Sequence, residues 1–464
     1  MSVKSYTSST PRVFTKARAG LLCLGLLYYI LLMASYILFI SPGQAYLGLV
    51  TRNLSVFWWI ISILLSQVPL LHLPIKFTKP SDLAAWYLYL LVVAPCPLVS
   101  LMVSTEEPLQ VLQLPLLILS AFFIFEICRC SSSLKVPLIS ESKRKVRLRP
   151  EFSNLFFYVI PVIMLTLSVI ALYTIRFNID LSISDVYTRR LQARETVIGG
   201  SFVAYSITFL GKAYMPLSIV IGLYYKKSIF LFLAVISSIA VFSVDGSKGS
   251  IFTPLLIVCI ILLVSKPRNN EGFLLLVGCC CIIVLSIIEE FAIGSSIFSI
   301  FIVRRLFIIP AQLTTYYWEF FSYHPLVFLS DSILKIFINP QYPLPTAMII
   351  GLNYFQDANA NANAGIWASG FANFGYVGVI ITSIIAAVIL RIVDSIADTN
   401  RYVVGCVVSL MIGIAWTEQA LHTSILSSGI IVLIIGLYLC PSVMLPTNSA
   451  ETSQDNRLHR FSTK

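Results

Sequence analysis

Apolar residues in this chain fall into blocks of membrane-spanning length separated by short polar segments. Twelve runs stand out, at 20–40, 54–71, 83–103, 111–128, 152–172, 201–223, 228–244, 251–265, 272–288, 373–390, 402–416 and 425–441, and each predicts a helix able to cross a bilayer. The pattern breaks over one long stretch, Glu289 to Ala372. It holds Glu289-Glu290, the pair Arg304-Arg305, the aromatic run Tyr316-Tyr317-Trp318-Glu319-Phe320-Phe321, then His324-Pro325, Asn339-Pro340 and an Asn-Ala repeat from Asn359 to Gly365. It is the one sizeable region free to build a polar site, and the pattern places it as a large outer loop between spans nine and ten.

Composition agrees. Of 464 residues, 58% are hydrophobic and 11% charged, against about 25% charged in a soluble domain, so the chain reads as an all-α polytopic membrane protein forming a single integral-membrane domain, 1–464. Most of its 32 Lys and Arg cluster on one side, at Lys4 to Arg18, Lys76 and Lys79, Arg129 to Arg149, Lys226 and Lys227, Lys266 and Arg268, Arg391 and Arg401, and the tail from Arg457. The positive-inside rule then puts both termini inside, segments 173–200 and 289–372 outside, and 442–464 in an inner tail. The +11 net charge is mostly topology and gives no case for nucleic acid. The first apolar run is too long for a signal peptide and is expected to stay as a span. The ten Cys fall in spans or on the inner side, so no outer disulfide is expected. Metal-ligand spacing is absent, and Cys279-Cys280-Cys281 reads as small residues at a helix contact. No cofactor is expected. Glu126, beside Arg129, is a carboxylate near the inner end of a span, read as structural and able to snorkel.

Several outer residues need a reason. Segment 173–200 carries Arg176, Arg189, Arg190 and Arg194 on the side that disfavours them. On a helix Arg190 and Arg194 share a face, which suits a polyanion such as a diphosphate; pairing with Asp180, Asp185 and Glu195 is the plainer reading. Asp245-Gly-Ser-Lys248-Gly-Ser lacks Walker spacing but offers a turn with a lysine at a helix start, where an anion is favoured. Arg304 and Arg305 again break the charge rule. Tyr317 and Trp318 suit either an interfacial belt or, with Asn363 nearby, the stacking face of a sugar site. His324 and Glu319 are the candidate bases, with Asp331, Glu418 and His422 as alternatives.

Taken in order, Tyr187-Thr-Arg-Arg-Leu, Asp245-Gly-Ser-Lys248-Gly-Ser, Arg304-Arg-Leu-Phe-Ile-Ile-Pro310, Tyr317-Trp-Glu-Phe-Phe-Ser322 and Asn363-Ala-Gly with Gly370-Phe-Ala-Asn-Phe-Gly375 resemble the Wzy-type O-antigen polymerases, the oligosaccharide repeat unit polymerases. The resemblance implies a GT-C-like glycosyltransferase of the bacterial inner membrane with a periplasmic site. Its partners would be undecaprenyl-diphosphate-linked glycans, membrane lipids and, where chain length is controlled, a separate regulator. Arg190, Arg194, Lys248, Arg304 and Arg305 would clamp the diphosphate, and His324 or Glu319 would deprotonate the acceptor hydroxyl. No Asp-x-Asp pair occurs, so the arginines are expected to stand in for a metal. An O-antigen ligase shares these features. A lipid-linked oligosaccharide flippase is the rival from another class, favoured by Lys212 but not by the long outer stretch.

Overall fold

A computed structural model describes residues 16–131, 150–179, 202–246, 249–266, 268–294, 297–332, 336–357, 359–397 and 401–441. All the regular elements among them are helical. In chain order they are α1 (Lys16–Leu47), α2 (Val56–Leu71), α3 (Ser81–Val103), α4 (Pro108–Cys130), α5 (Pro150–Thr174), α6 (Phe202–Tyr224), α7 (Ser228–Asp245) and α8 (Gly249–Val264). After α9 (Glu271–Ile293) comes α10, which is Ser299–Ile308 continued by Ile309–Tyr323. The rest are α11 (Thr346–Phe355), α12 (Ile366–Ile396), α13 (Tyr402–Glu418), α14 (Leu421–Leu426) and α15 (Ile430–Leu439).

Each of the twelve apolar runs becomes helical, but eight helices among the described residues are long and apolar enough to cross a membrane. The runs at 54–71, 251–265, 402–416 and 425–441 form shorter helices. The fold is that of an all-helical polytopic membrane protein. α3 is its axis, 94% buried over its most apolar window, with α13 along it and α10 across its far end.

The two ends of α3 define the two ends of the bundle. At its start Asp82 pairs with Arg129 of α4 at 2.7 Å, and Ser81 donates to Asp394 of α12 through its main-chain N–H (2.9 Å) and its hydroxyl (2.6 Å). Arg129 also grips Glu126 through Nε (3.0 Å) and Nη2 (2.7 Å). Glu126 therefore does not snorkel: it is 7% exposed and Arg129 1%, so each neutralises the other inside the protein. Glu271, at the start of α9, joins the same end by accepting from the main-chain N–H of Phe77.

α12 is not one straight span. Trp367 Nε1 donates to Ser383 Oγ at 2.9 Å, although sixteen residues of straight helix would separate them by about 24 Å. The chain reverses at Phe374 (φ −141°, ψ 21°) and Gly375 (φ 59°, ψ −143°), the second a conformation that glycine adopts without strain. The two arms touch at Gly370 and Gly378, where a Cβ on Gly378 would lie 2.0 Å from the Gly370 carbonyl oxygen. Residues 376–396, about 31 Å long by helical rise, run beside α4, while 366–373 folds back into the bundle.

The stretch expected as an outer loop is largely built into the protein. Every residue of α10 from Pro310 to Phe321 is buried, and Phe307 packs edge-on against Tyr28, whose hydroxyl donates to Leu90 midway along α3. Polar residues lower the hydropathy of this helix, but most of their hydrogen-bonding groups find partners inside the protein. Gln312 donates to Leu47 O at 2.7 Å, and Thr314 and Thr315 donate to main-chain carbonyls one turn back. A helix packed in protein rather than lipid tolerates such residues.

Candidate functional site

At the end of α3 opposite the Arg129 network, the turn Ser104-Thr105-Glu106 meets the outer end of α10. Ser104 Oγ donates to one oxygen of Glu319 at 2.8 Å and Thr105 Oγ1 to the other at 2.7 Å. Arg52, from the α1–α2 connection, fixes the turn by donating Nη1 to the carbonyls of Ser104 and Glu106, both at 2.8 Å. A third hydroxyl faces Glu319 from α11, that of Tyr354, which stacks on Tyr316 at 4.1 Å. Burial first, then the Glu319 carboxylate, push the Tyr354 phenol above the usual tyrosine range, so it stays a donor. Glu319 is 8% exposed, and hydroxyls from two elements face its carboxylate.

This carboxylate forms the floor of a cleft of about 280 Å³ lined by Glu106, Glu319, Phe320, Tyr323, His324, Asn353 and Tyr354. His324 ends α10 and lies flat on Phe320, ring centroids 4.0 Å apart. Its Nδ1 is 2.8 Å from the Phe320 carbonyl oxygen. A carbonyl only accepts, so Nδ1 carries the hydrogen and, in the neutral ring, Nε2 is left with a bare lone pair. The hydrogen bond between the Tyr323 phenol and Glu106 raises that phenol above its ordinary range.

The sequence-predicted residues separate into those the fold brings together and those it does not. Glu319 and His324 line one cleft. Arg304 and Arg305 do not: they sit on the same helix as Glu319 but fifteen and fourteen residues earlier, roughly 20 Å away by helical rise. Tyr317 and Trp318, expected to stack on a sugar, turn into the bundle instead. They are 4% and 5% exposed, and the Tyr317 hydroxyl donates to Ala362 O at 3.1 Å. Asn363 is exposed but does not line the cleft. Its repeat runs extended, with Ala362 and Ala364 buried and Asn361 and Asn363 outward. Arg190, Arg194 and Lys248 lie outside the described residues, as do 180–200 of segment 173–200 and the tail 442–464. Asp331 accepts from the start of α11, where it meets Thr346 N–H at 2.5 Å, and it neighbours His422; neither lines the cleft.

Sequence reading missed Ser104, Thr105, Glu106, Arg52, Asn353 and Tyr354. A helical signal for part of the set was present: 316, 319, 320 and 323 share one face of α10, whereas 317, 318 and 321 point the other way.

The fold defines an all-helical, multi-pass membrane protein with a polar cleft built around a buried carboxylate. No family model, characterised protein or solved structure matches the chain.

Proposed function

We propose that this chain is a membrane glycosyltransferase that joins lipid-linked oligosaccharide repeat units, in the manner of an O-antigen polymerase. The observation carrying the reading is the convergence of His324 and Glu319 on one cleft, at the bundle end opposite the positively charged connections. In this reading the chain sits in a bacterial inner membrane with both termini inside, in a GT-C-like arrangement of about twelve spans. The cleft opens to the periplasm.

The acceptor sugar enters the cleft with one hydroxyl toward His324. Its oxygen attacks the anomeric carbon of the donor glycan and the bond from that carbon to the diphosphate oxygen breaks. The hydroxyl proton passes to His324 Nε2, and undecaprenyl diphosphate leaves with the bonding electrons. Glu319, fixed by Ser104 and Thr105, orients the acceptor through its hydroxyls. Cations placed where the leaving charge builds up lower the barrier, and Arg190, Arg194 and Lys248 are assigned that task. Arg304 and Arg305 are too far from Glu319 to share it. The substrates are undecaprenyl-diphosphate-linked glycans drawn from the surrounding lipid, and a chain-length regulator is a natural partner.

Deleting the gene and resolving the lipopolysaccharide on a gel tests this reading. Loss of the ladder with core carrying a single repeat unit is expected, restored by wild type and not by His324→Ala at equal expression. Bare core with polymer left on the carrier would replace the proposal by a ligase. Repeat units stranded on the inner leaflet would replace it by a flippase.

A further inference from the structure

We infer that the cleft over Glu319 receives a neutral or amine-bearing sugar ring and turns away sugars carrying a carboxylate or a phosphate. This deepens the glycosyl-transfer reading and rests on it for the word substrate, but the recognition follows from the cleft alone.

The polar groups facing the cleft are nearly all acceptors. Glu106 and Glu319 contribute carboxylates from two different elements, and among the described residues no lysine or arginine lines the space. Asn353 donates its amide nitrogen to Ile349 O at 2.8 Å, which leaves Oδ1 for a ligand. His324 keeps Nδ1 on the Phe320 carbonyl and presents Nε2. The two phenols that could donate are turned to the carboxylates, Tyr323 to Glu106 and Tyr354 to Glu319. Arg52 directs Nη1 to main-chain carbonyls behind the cleft.

A ligand here must bring its own donors. Sugar hydroxyls do, and an ammonium group does so with a complementary charge. A carboxylate or phosphate brings only acceptors and a like charge, so it would stay unsatisfied on entering. Phe320 covers one ring face of His324 and Tyr316 one face of Tyr354, which leaves the opposite faces of His324 and Tyr354 for the apolar face of a pyranose, and the volume is that of a single ring. The donor's diphosphate therefore has its place outside this cleft.

The test uses the full-length chain purified in detergent and ligand-observed saturation-transfer NMR with three probes: methyl glucosaminide, methyl N-acetylglucosaminide and methyl glucuronide. The first two are expected to bind, and the glucuronide to bind at least about tenfold more weakly, the size of effect an unsatisfied buried polar group produces. Glu106→Gln should narrow that gap, and Asn353→Lys, which adds a donor and a positive charge, should close or reverse it, each checked by an unchanged melting temperature. Should Glu106→Gln fail to fold, Asn353→Lys decides alone. Glucuronide binding as tight as the neutral probe, a gap untouched by both folded variants, or no binding of any probe would each overturn the inference. The outcome is independent of the gel phenotype. The expected preference with an unaltered ladder in the deletion strain would sink the polymerase reading and leave the subsite standing; a lost ladder with equal binding of all three probes would do the reverse.

Discussion

Thr105 and Glu319 lie 214 positions apart in the chain, yet the threonine hydroxyl donates to the carboxylate at 2.7 Å. The contact joins the turn after the most buried span to the helix that crosses its end. If Glu319 orients an acceptor, Thr105→Val and Glu319→Gln should each lower turnover of lipid-linked repeat units by roughly ten- to a hundredfold, the worth of a hydrogen bond to a charged group. The melting temperature of Thr105→Val should move little, because Thr105 is exposed. A glycan ladder of unaltered length and rate in Glu319→Gln would show that the carboxylate serves packing alone.

The reversal within α12 makes a sharper structural prediction. Trp367 and Ser383 hydrogen-bond across the two arms, whereas a continuous helix would hold them about 24 Å apart. The double variant Trp367→Cys with Ser383→Cys should be bridged by a short bifunctional thiol reagent whose reach is well below about 24 Å, detected as a shift in the peptide map, in a chain whose other accessible cysteines are replaced. Gly378→Val should loosen the hairpin, since a side chain there meets the Gly370 carbonyl. It should lower the melting temperature and speed proteolysis near residue 375. Absence of the cross-link in folded protein would restore a straight span.

These two contacts illustrate what the sequence could and could not tell. The apolar runs were legible because lipid demands continuous hydropathy over the length of a span, and each of them became helical. The reversal was not legible: Phe374-Gly375 lies inside the apolar run 373–390, and only a contact between distant residues distinguishes a hairpin from a straight helix. The sequence of α10 reads as an outer loop because Gln312, Thr314, Thr315 and Glu319 interrupt its hydropathy. Such residues exclude a lipid-facing helix but not one enclosed by protein. His324 and Glu319 were recognisable by residue type. Their companions Ser104, Thr105 and Asn353 were not, being ordinary polar residues whose meaning comes from the fold that gathers them. Tyr317 and Trp318 drew attention as aromatics, but helical phase turns them away from the cleft.

His422 gives the fold a pH dependence. Burial pulls its imidazole below the ordinary value of 6.5, and the Asp331 carboxylate opposes this in part. A histidine held neutral by burial binds fewer protons folded than unfolded, so its contribution to stability is fully present above 6.5. That contribution is lost as pH falls from there through the lowered folded value. The melting temperature of the wild type should therefore decline below pH 6.5, and His422→Gln should flatten this part of the profile. Asp331→Asn should steepen it by removing the group that favours the charged imidazole. Identical profiles for wild type and His422→Gln would place the titration elsewhere.

Among the described residues, Arg129 is the cation on which carboxyl-bearing segments of three helices converge. It pairs with Asp82 and Glu126, each at 2.7 Å, and donates to the Ser81 hydroxyl at 2.8 Å, which in turn donates to Asp394. Removing one partner of a buried pair leaves the other charge without compensation and costs about 3–5 kcal/mol, whereas an exposed pair is worth under about 1 kcal/mol. Arg129→Leu should accordingly reduce the yield of folded protein and its melting temperature far more than loss of side-chain packing would. Adding Asp82→Asn and Glu126→Gln should recover much of that loss, because the uncompensated charges go with the arginine. A triple variant no more stable than Arg129→Leu would mean that the arginine acts by filling space, and a single variant as stable as wild type would mean that the three segments are held together without it.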